Sequence, residues 1–348
     1  MRIAIAGAGM AGLCAAVRAR ELGLDPVVYE KGDRAGGSML LSSCVIWRHR
    51  DFGEFRQECP GGDEALQRAV WERLDEGLDW LEGLGAPVVT RDTGNPLTTG
   101  RRFDPRGLTD ALVDAAGEIR LGTLFPEEHP LVLATGGFAA RLARERGLLL
   151  RANRWSEGEG LDHALAAGAG TTAGMDEFYG RALPAGARIH ERDFVRLSQL
   201  YGRHAEVVDE ERRPFFDGEV SWSENDLVQA IARLPGRRAW YLVPADRLAV
   251  RVRDRTVSEM IEAARAAGGT VVEEDGRTAV LVTPGVTHTI GGLRIDPQAR
   301  VVGVPGLYAA GADAGGIATG GYASGLAAAL VFGRIAAETL ALEVHAGA

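Results

Sequence analysis

The chain has 348 residues, 46 % of them hydrophobic, enough for a large core and for two domains. A net charge of −9 leaves no basic excess for nucleic acid or an anionic membrane, and the three cysteines (Cys14, Cys44, Cys59) follow no metal or redox-pair spacing, which points to a reducing, cytoplasmic setting. Met1 to Val17 is apolar but lacks the three-part layout of a leader, and no apolar run is expected to reach the roughly 18 residues of a spanning helix, so no membrane insertion is expected.

The first thirty residues, "RIAIAGAGMAGLCAAVRARELGLDPVVYEK", predict a buried strand at Ile3–Ala6, a glycine turn, a helix over about Ala11–Leu22 and a second strand ending at Glu30. The apolar run without alternation fits a parallel strand covered on both faces, and the unit is βαβ. Gly7, Gly9 and Gly12 make G-x-G-x-x-G between the strand and the helix. The first glycine allows the turn, the second lets backbone approach a pyrophosphate, and the third permits close helix–strand packing. The phosphate would sit on the helix N-terminus. Glu30, placed to accept from ribose hydroxyls, disfavours a 2′-phosphate and so favours FAD or NAD over NADP. Gly36, Gly37 and Ser38 then follow, where an extended cofactor would continue.

Helical spacing runs through Leu66, Val70, Leu74, Leu78 and Leu81, "PRGLTDALVDAAG" is a short helix, and "HPLVLATGG" is a strand ending in glycines. From Arg141 to Thr283 charged pairs, Trp222, Trp240 and alternating stretches appear, which predicts an inserted α+β domain. The expected boundaries are 1–140 with 284–348 for a discontinuous first domain and 141–283 for the second. "THTIGGLRID" and "PGLYAAG" are strands, and "GGYASGLAAALVFGRIAAETLALE" is a long helix opened by glycines. Asp313, after the third glycine-ended strand, is expected to bond a ribityl chain or pyrophosphate. That late return to the cofactor favours FAD.

Taken together, "GAGMAGLCAA", "YEKGDRAGGSMLLSS", "LATGGFAA", "SEGEGLDHALAAGAG", "THTIGGLRID" and "PGLYAAGADAGG" resemble the FAD-dependent oxidoreductase family of fumarate reductase and succinate dehydrogenase flavoproteins and 3-ketosteroid dehydrogenases. The resemblance implies an α/β fold, a Rossmann-like, glutathione-reductase-like FAD-binding domain, with the middle of the chain as an α+β capping domain. It implies non-covalent FAD held by Gly7, Gly9, Met10, Ala11, Gly12, Glu30, Lys31, Gly37, Ser38, Ser42, Ala134, Gly136, Gly137, Glu159, Asp313, Ser324 and Leu326. His49, the one histidine near the first glycines, has a "WRHRD" setting unlike the family's covalent attachment site. The last helix would aim its N-terminus at the flavin, stabilising the anionic reduced form.

The chain also departs from the family. His288 matches a histidine that contacts a substrate carboxylate in fumarate reductases, and Gly291-Gly292 would let backbone pass close to the isoalloxazine. The arginine that clamps a dicarboxylate is missing, because none lies between Gly311 and Arg334. Asn225, before Asp226, stands where the proton-donating arginine is expected, and asparagine supplies no cation. Fumarate and succinate are therefore not the expected substrates. Tyr322 lies on the loop before the last helix, near where one of the tyrosines with which ketosteroid dehydrogenases polarise a ketone and take a proton would sit, but the Y-P-G context is absent; Tyr179 and Tyr201 would line the cap side, and Trp222 suits a core.

The expected activity is hydride transfer between flavin N5 and a CH–CH or C=C bond beside a carbonyl of a small molecule. His288, Tyr322 and Asn225 are the candidate catalytic residues, and an electron donor or acceptor of unknown identity is implied. A flavin oxidase or monooxygenase, and a non-catalytic flavin electron-transfer subunit, are the alternatives.

Overall fold

The structure, a computed structural model, describes residues 1–347. Strand β1 (Arg2–Ala6) leads into helix α1 (Met10–Glu21) and strand β2 (Asp25–Glu30). Strand β3 (Val45–His49) precedes helix α2 (Glu64–Gly83) and helix α3 (Pro105–Ala116). Both helices start where the sequence carries a cap: the Asp63 carboxylate accepts from the Ala65 and Leu66 amides, and Asp104 accepts from Gly107 with Pro105 in the first turn. Strands β4 (Glu118–Leu121) and β5 (Leu131–Leu133) follow, then helix α4 (Glu159–Ala166). The remaining principal elements are β6 (Phe178–Pro184), α5 (Asn225–Arg233), β7 (Ala239–Pro244), β8 (Arg277–Thr289), β9 (Leu307–Ala309) and α6 (Gly325–Gly347).

The chain divides into two compact units: Met1–Arg141 with Asn153–Glu177 and the residues from His288 onward, and Leu142–Ala152 with Phe178–Thr287. Residues 153–177, expected in the second domain, thus belong to the first. Long-range hydrogen bonds hold them there: the Asn153 amide donates to Ser38 Oγ (2.9 Å) and the Thr172 amide to the Gly292 carbonyl (2.9 Å).

The first unit is built on a parallel sheet in the order β9-β5-β1-β2-β4. Strand β1 lies between its neighbours in the sheet, and the crevice beyond its carboxyl end, where the strand order reverses, is where such sheets take ligands. Helix α6 packs on α1 and α2. Contrary to the expectation of no such run, Gly325–Ala346 is long and apolar enough to cross a membrane by length and composition. Most of it is buried in the unit, and it carries a buried Arg334 whose Nη2 bonds Glu76 Oε1 at 2.5 Å. Those are properties of a core helix.

In the second unit, β8 pairs with β7, with Val271–Glu274, with Leu149–Leu150 and with β6, and Glu206–Val208 extends the sheet beyond β7. The 13-residue β8 ends in His288 and Thr289, which already belong to the first unit.

Candidate active site

The glycine turn after β1 performs two different tasks. Gly7 has φ +101°, and a Cβ there would fall on the Ala134 carbonyl; a Cβ on Gly12 would fall on the Gly7 carbonyl oxygen. These two are glycines because backbone meets backbone. Gly9 differs, since the nearest atom to its added Cβ is Gly37 Cα at 4.0 Å, so its open face is available to a ligand. Helix α1 begins at Gly9 without a side-chain cap, and its first bond runs from the Leu13 amide to the Gly9 carbonyl (3.0 Å). The amides of Met10, Ala11 and Gly12 are left for an anion. Glu30, buried at the end of β2, accepts from the Ala8 amide (2.9 Å) and the Gly32 amide (2.7 Å), one on each oxygen. Each oxygen keeps a lone pair, so ribose hydroxyls can be accepted as well.

Lys31 pairs with Glu159, the first residue of α4, which joins two of the predicted cofactor residues directly. Ser38 holds Asn153 as above, and Ser42 Oγ donates to the Met39 carbonyl (2.9 Å) while accepting from the Cys44 amide (3.0 Å). Ala134 leaves β5 with its amide on the Ala6 carbonyl (2.8 Å), bringing Gly136 and Gly137, both with positive φ, beside the first glycine turn.

Asp313 is 1 % exposed, and its carboxylate accepts from the Thr135 amide, from Thr135 Oγ1 (2.8 Å) and from the Gly136 amide (3.2 Å). It ties off the end of β5, and burial raises its pKa to about 6 against the pull of those donors. Gly291 and Gly292 pass close to protein backbone on the side where a Cβ would project. A Cβ on Gly291 would lie 2.5 Å from the Met175 amide nitrogen, and one on Gly292 2.6 Å from the Asp313 carbonyl oxygen.

The start of α6 gathers the remaining first-unit candidates. Ser324 Oγ accepts from the Ala327 amide (3.3 Å), capping the helix, and Leu326 lies half-buried in its first turn. Ser324→Ala is expected to cost about 1 kcal/mol, read as a lower thermal midpoint, with Ser324→Asn retaining most of it. The His288 ring packs on Gly325, where a Cβ would come within 3.0 Å of its Cε1. Crowding by protein atoms, with part of the ring still accessible, lowers the His288 pKa to about 4, so the imidazole is neutral at pH 7. Tyr322, three residues before Gly325, packs on Trp47 of β3 with ring centres 5.3 Å apart. Trp47 in turn lies 5.2 Å from His49, which is buried against Phe55.

In the second unit Asn225 opens α5 and its Oδ1 accepts from the Gly180 amide in β6 (3.2 Å). Tyr201, expected at the substrate, is a core residue instead: it is fully buried, with its hydroxyl donating to Gln199 Oε1 (2.8 Å). Tyr179 is buried with the Arg181 guanidinium 5.1 Å from its ring centre, and Trp222 is half-buried. Next to Asn225, burial raises the Glu224 carboxyl to a pKa of about 7, partly offset by Arg181. A raised acid binds its proton more tightly in the folded state, so stability should fall as pH rises from about 4.5 to about 7 and then level off. Glu224→Gln is expected to flatten that slope in denaturation curves taken across this range; an unchanged slope would contradict it.

The first unit's residues fit FAD. Besides the open Gly9, the uncapped α1 and Glu30, the Thr289 and Thr319 hydroxyls are buried without hydrogen-bond partners. Sequence reasoning missed Thr135, Trp47 and Trp155. Thr135 carried a local signal between the predicted cofactor residues Ala134 and Gly136 in "LATGG", and Trp155 carried one in "NRWSEGEG", directly before Glu159; Trp47 carried none.

A family model described as FAD binding domain matches residues 2–112 and 122–326, the break falling at the end of α3 and the single strand β4. The fumarate reductase (cytochrome) of Shewanella frigidimarina is 23 % identical, the match covering 97 % of this chain and 76 % of that protein. The NADH:acrylate oxidoreductase of Vibrio harveyi is 44 % identical over 82 residues, 22 % of this chain and 8 % of that one. The structure of a 3-ketosteroid delta1-dehydrogenase from Sterolibacterium denitrificans, in complex with 1,4-androstadiene-3,17-dione, has a TM-score of 0.71 at 14 % identity and covers 98 % of this chain and 99 % of that one, so the fold is shared.

Proposed function

The chain belongs to the FAD binding domain family and takes FAD as its cofactor, and from that premise we propose a dehydrogenase or reductase acting on a carbon–carbon bond beside a carbonyl. The substrate is a small molecule that is uncharged or carries one carboxylate, and is not a C4-dicarboxylate. Bound FAD supplies the hydride acceptor or donor. The chain's own residues supply orientation, polarisation and the proton.

The observation that carries this reading is the neutral His288, at the end of β8 against the first turn of α6, with no arginine on the loop that leads into α6. A dianion needs fixed positive charge to offset its desolvation. Here Arg334 is the first arginine after Gly311, and it is buried on Glu76. A neutral imidazole instead offers one N–H donor to a carbonyl oxygen, and the N-terminal dipole of α6 favours the charge that develops there. The Tyr322 hydroxyl is the proton-transfer candidate in this unit, and its ring is held in place by packing on the buried Trp47. The relatives' names share this chemistry, since fumarate, acrylate and the 3-ketosteroids each place a carbon–carbon bond beside a carbonyl or carboxyl carbon.

The test is anaerobic. FAD-loaded protein is photoreduced and mixed with a panel of unsaturated ketones, esters and acids while the flavin absorbance is followed. Reoxidation by at least one uncharged or singly charged member is expected. No anaerobic reoxidation by any member, with rapid hydrogen peroxide formation coupled to substrate turnover once oxygen is admitted, would show an oxidase instead; reoxidation only by a partner protein would show an electron-transfer subunit.

A further inference from the structure

We infer that Trp155, seated on Gly32, forms the wall that receives the adenine ring of FAD, a role that rests on the cofactor reading above. The segment carrying Trp155 is fixed by its own hydrogen bonds. The Asn153 amide donates to Ser38 Oγ (2.9 Å), the Trp155 amide to Asn153 Oδ1 (3.3 Å), Ser156 Oγ to the Asn153 carbonyl (2.8 Å) and the Glu157 amide to the Trp155 carbonyl (2.9 Å). The indole is thereby a positioned plate rather than a mobile surface group.

Its place relative to Glu30 gives it a use. The Gly32 amide donates to Glu30 Oε1, and a Cβ on Gly32 would lie 2.5 Å from Trp155 Cδ1 and 3.0 Å from Glu30 Oε1. Residue 32 is therefore the contact point between the indole and the carboxylate that closes β2. In a βαβ nucleotide fold the acid at that strand end takes the ribose hydroxyls. The base attached to that ribose must then lie within about one ring's width of residues 31 and 32, and Trp155 covers them. Its indole is only partly buried and turns its Nε1–Cδ1 edge to Gly32, so part of an aromatic side chain remains accessible to a flat heterocycle. Two cations border it: the exposed Arg154 guanidinium lies 4.5 Å from the ring centre, and Lys31 Nζ lies 6.0 Å from it while paired with Glu159. Both suit the adenosine end of a cofactor whose next groups are phosphates. Gly32 is glycine, on this account, because any side chain would push the indole off the ribose carboxylate.

The test measures binding to apoprotein by calorimetry, with FAD and with ADP as an adenine probe that lacks the flavin, and follows indole fluorescence. Wild-type protein is expected to bind both, with fluorescence quenching by ADP. Trp155→Ala should weaken FAD about ten- to a hundred-fold, the loss typical of one base–aromatic stack, and abolish the quenching. Trp155→Phe should stay within about five-fold, because a flat ring remains. Gly32→Ala should weaken FAD in the wild-type background and add little to Trp155→Ala, since both act through the same contact. Wild-type FAD affinity in a folded Trp155→Ala protein, or full additivity of the two substitutions, would overturn the inference and leave the cofactor reading standing. A wild-type chain that binds no FAD would overturn that reading instead.

Discussion

Gly12→Val is expected to destabilise the protein by more than about 3 kcal/mol, beyond the usual range for overpacking, whereas Gly9→Val should fold normally and lose FAD. The two glycines belong to one motif and lie three residues apart, yet they face different neighbours. A Cβ on Gly12 meets the Gly7 carbonyl, which is backbone and cannot rotate away, so α1 must move off β1. Helix α1 also packs against α6, so its displacement spreads through the first unit. At Gly9 the space beyond the Cβ holds only Gly37 Cα at 4.0 Å. A valine there fills the volume left for the pyrophosphate and leaves the apoprotein intact. Thermal melts of both apoproteins, with flavin content after reconstitution, check the pair. Equal melting points, or full flavin in Gly9→Val, would contradict the assignment.

His288→Gln is expected to lower kcat/KM by about 100- to 1,000-fold, the range seen when one oxyanion-directed donor is removed, with flavin content unchanged. The ring sits on Gly325 at the head of α6, and its pKa of about 4 keeps it neutral through the working range. The kcat/KM profile between about pH 5.5 and 8 should therefore show no inflection from this group. The folded pKa lies below the unfolded value of about 6.5, so the stability contributed by keeping the ring neutral is present above that value and is lost as pH falls toward 4. This sign is opposite to that of Glu224, and the two can be separated by substituting each in turn.

Elements whose cause is local were legible before the structure. The strand–glycine–helix unit, the acid at the end of β2, and the capped starts of α2 and α3 all follow from neighbours a few residues apart. What escaped depended on partners distant in sequence. The bonds by which Asp313 holds the end of β5 were not legible, because its donors at Thr135 and Gly136 lie 178 and 177 residues away. Residues 153–177 resemble the second unit in composition, and their bonds to Ser38 and Gly292 assign them to the first. Gly291 and Gly292 showed that something approaches closely, without showing that it is the backbone at 174–175 and 313–315. Arg334 and Glu338 interrupt the apolar run of α6, and only their partners, Glu76 for one and Arg18 and Arg73 for the other, show how a core helix accommodates them.

The central claim is that this site serves a carbonyl-conjugated carbon–carbon bond without the charge needed for a dicarboxylate, and a matched pair of substrates tests it most directly. Reduced, FAD-loaded protein is mixed anaerobically in a stopped-flow instrument with dimethyl fumarate and, separately, with fumarate at the same concentration. The site predicts flavin reoxidation at least about ten-fold faster with the diester, the effect of a desolvated charge left without a partner. Faster reoxidation by the fumarate dianion would contradict it.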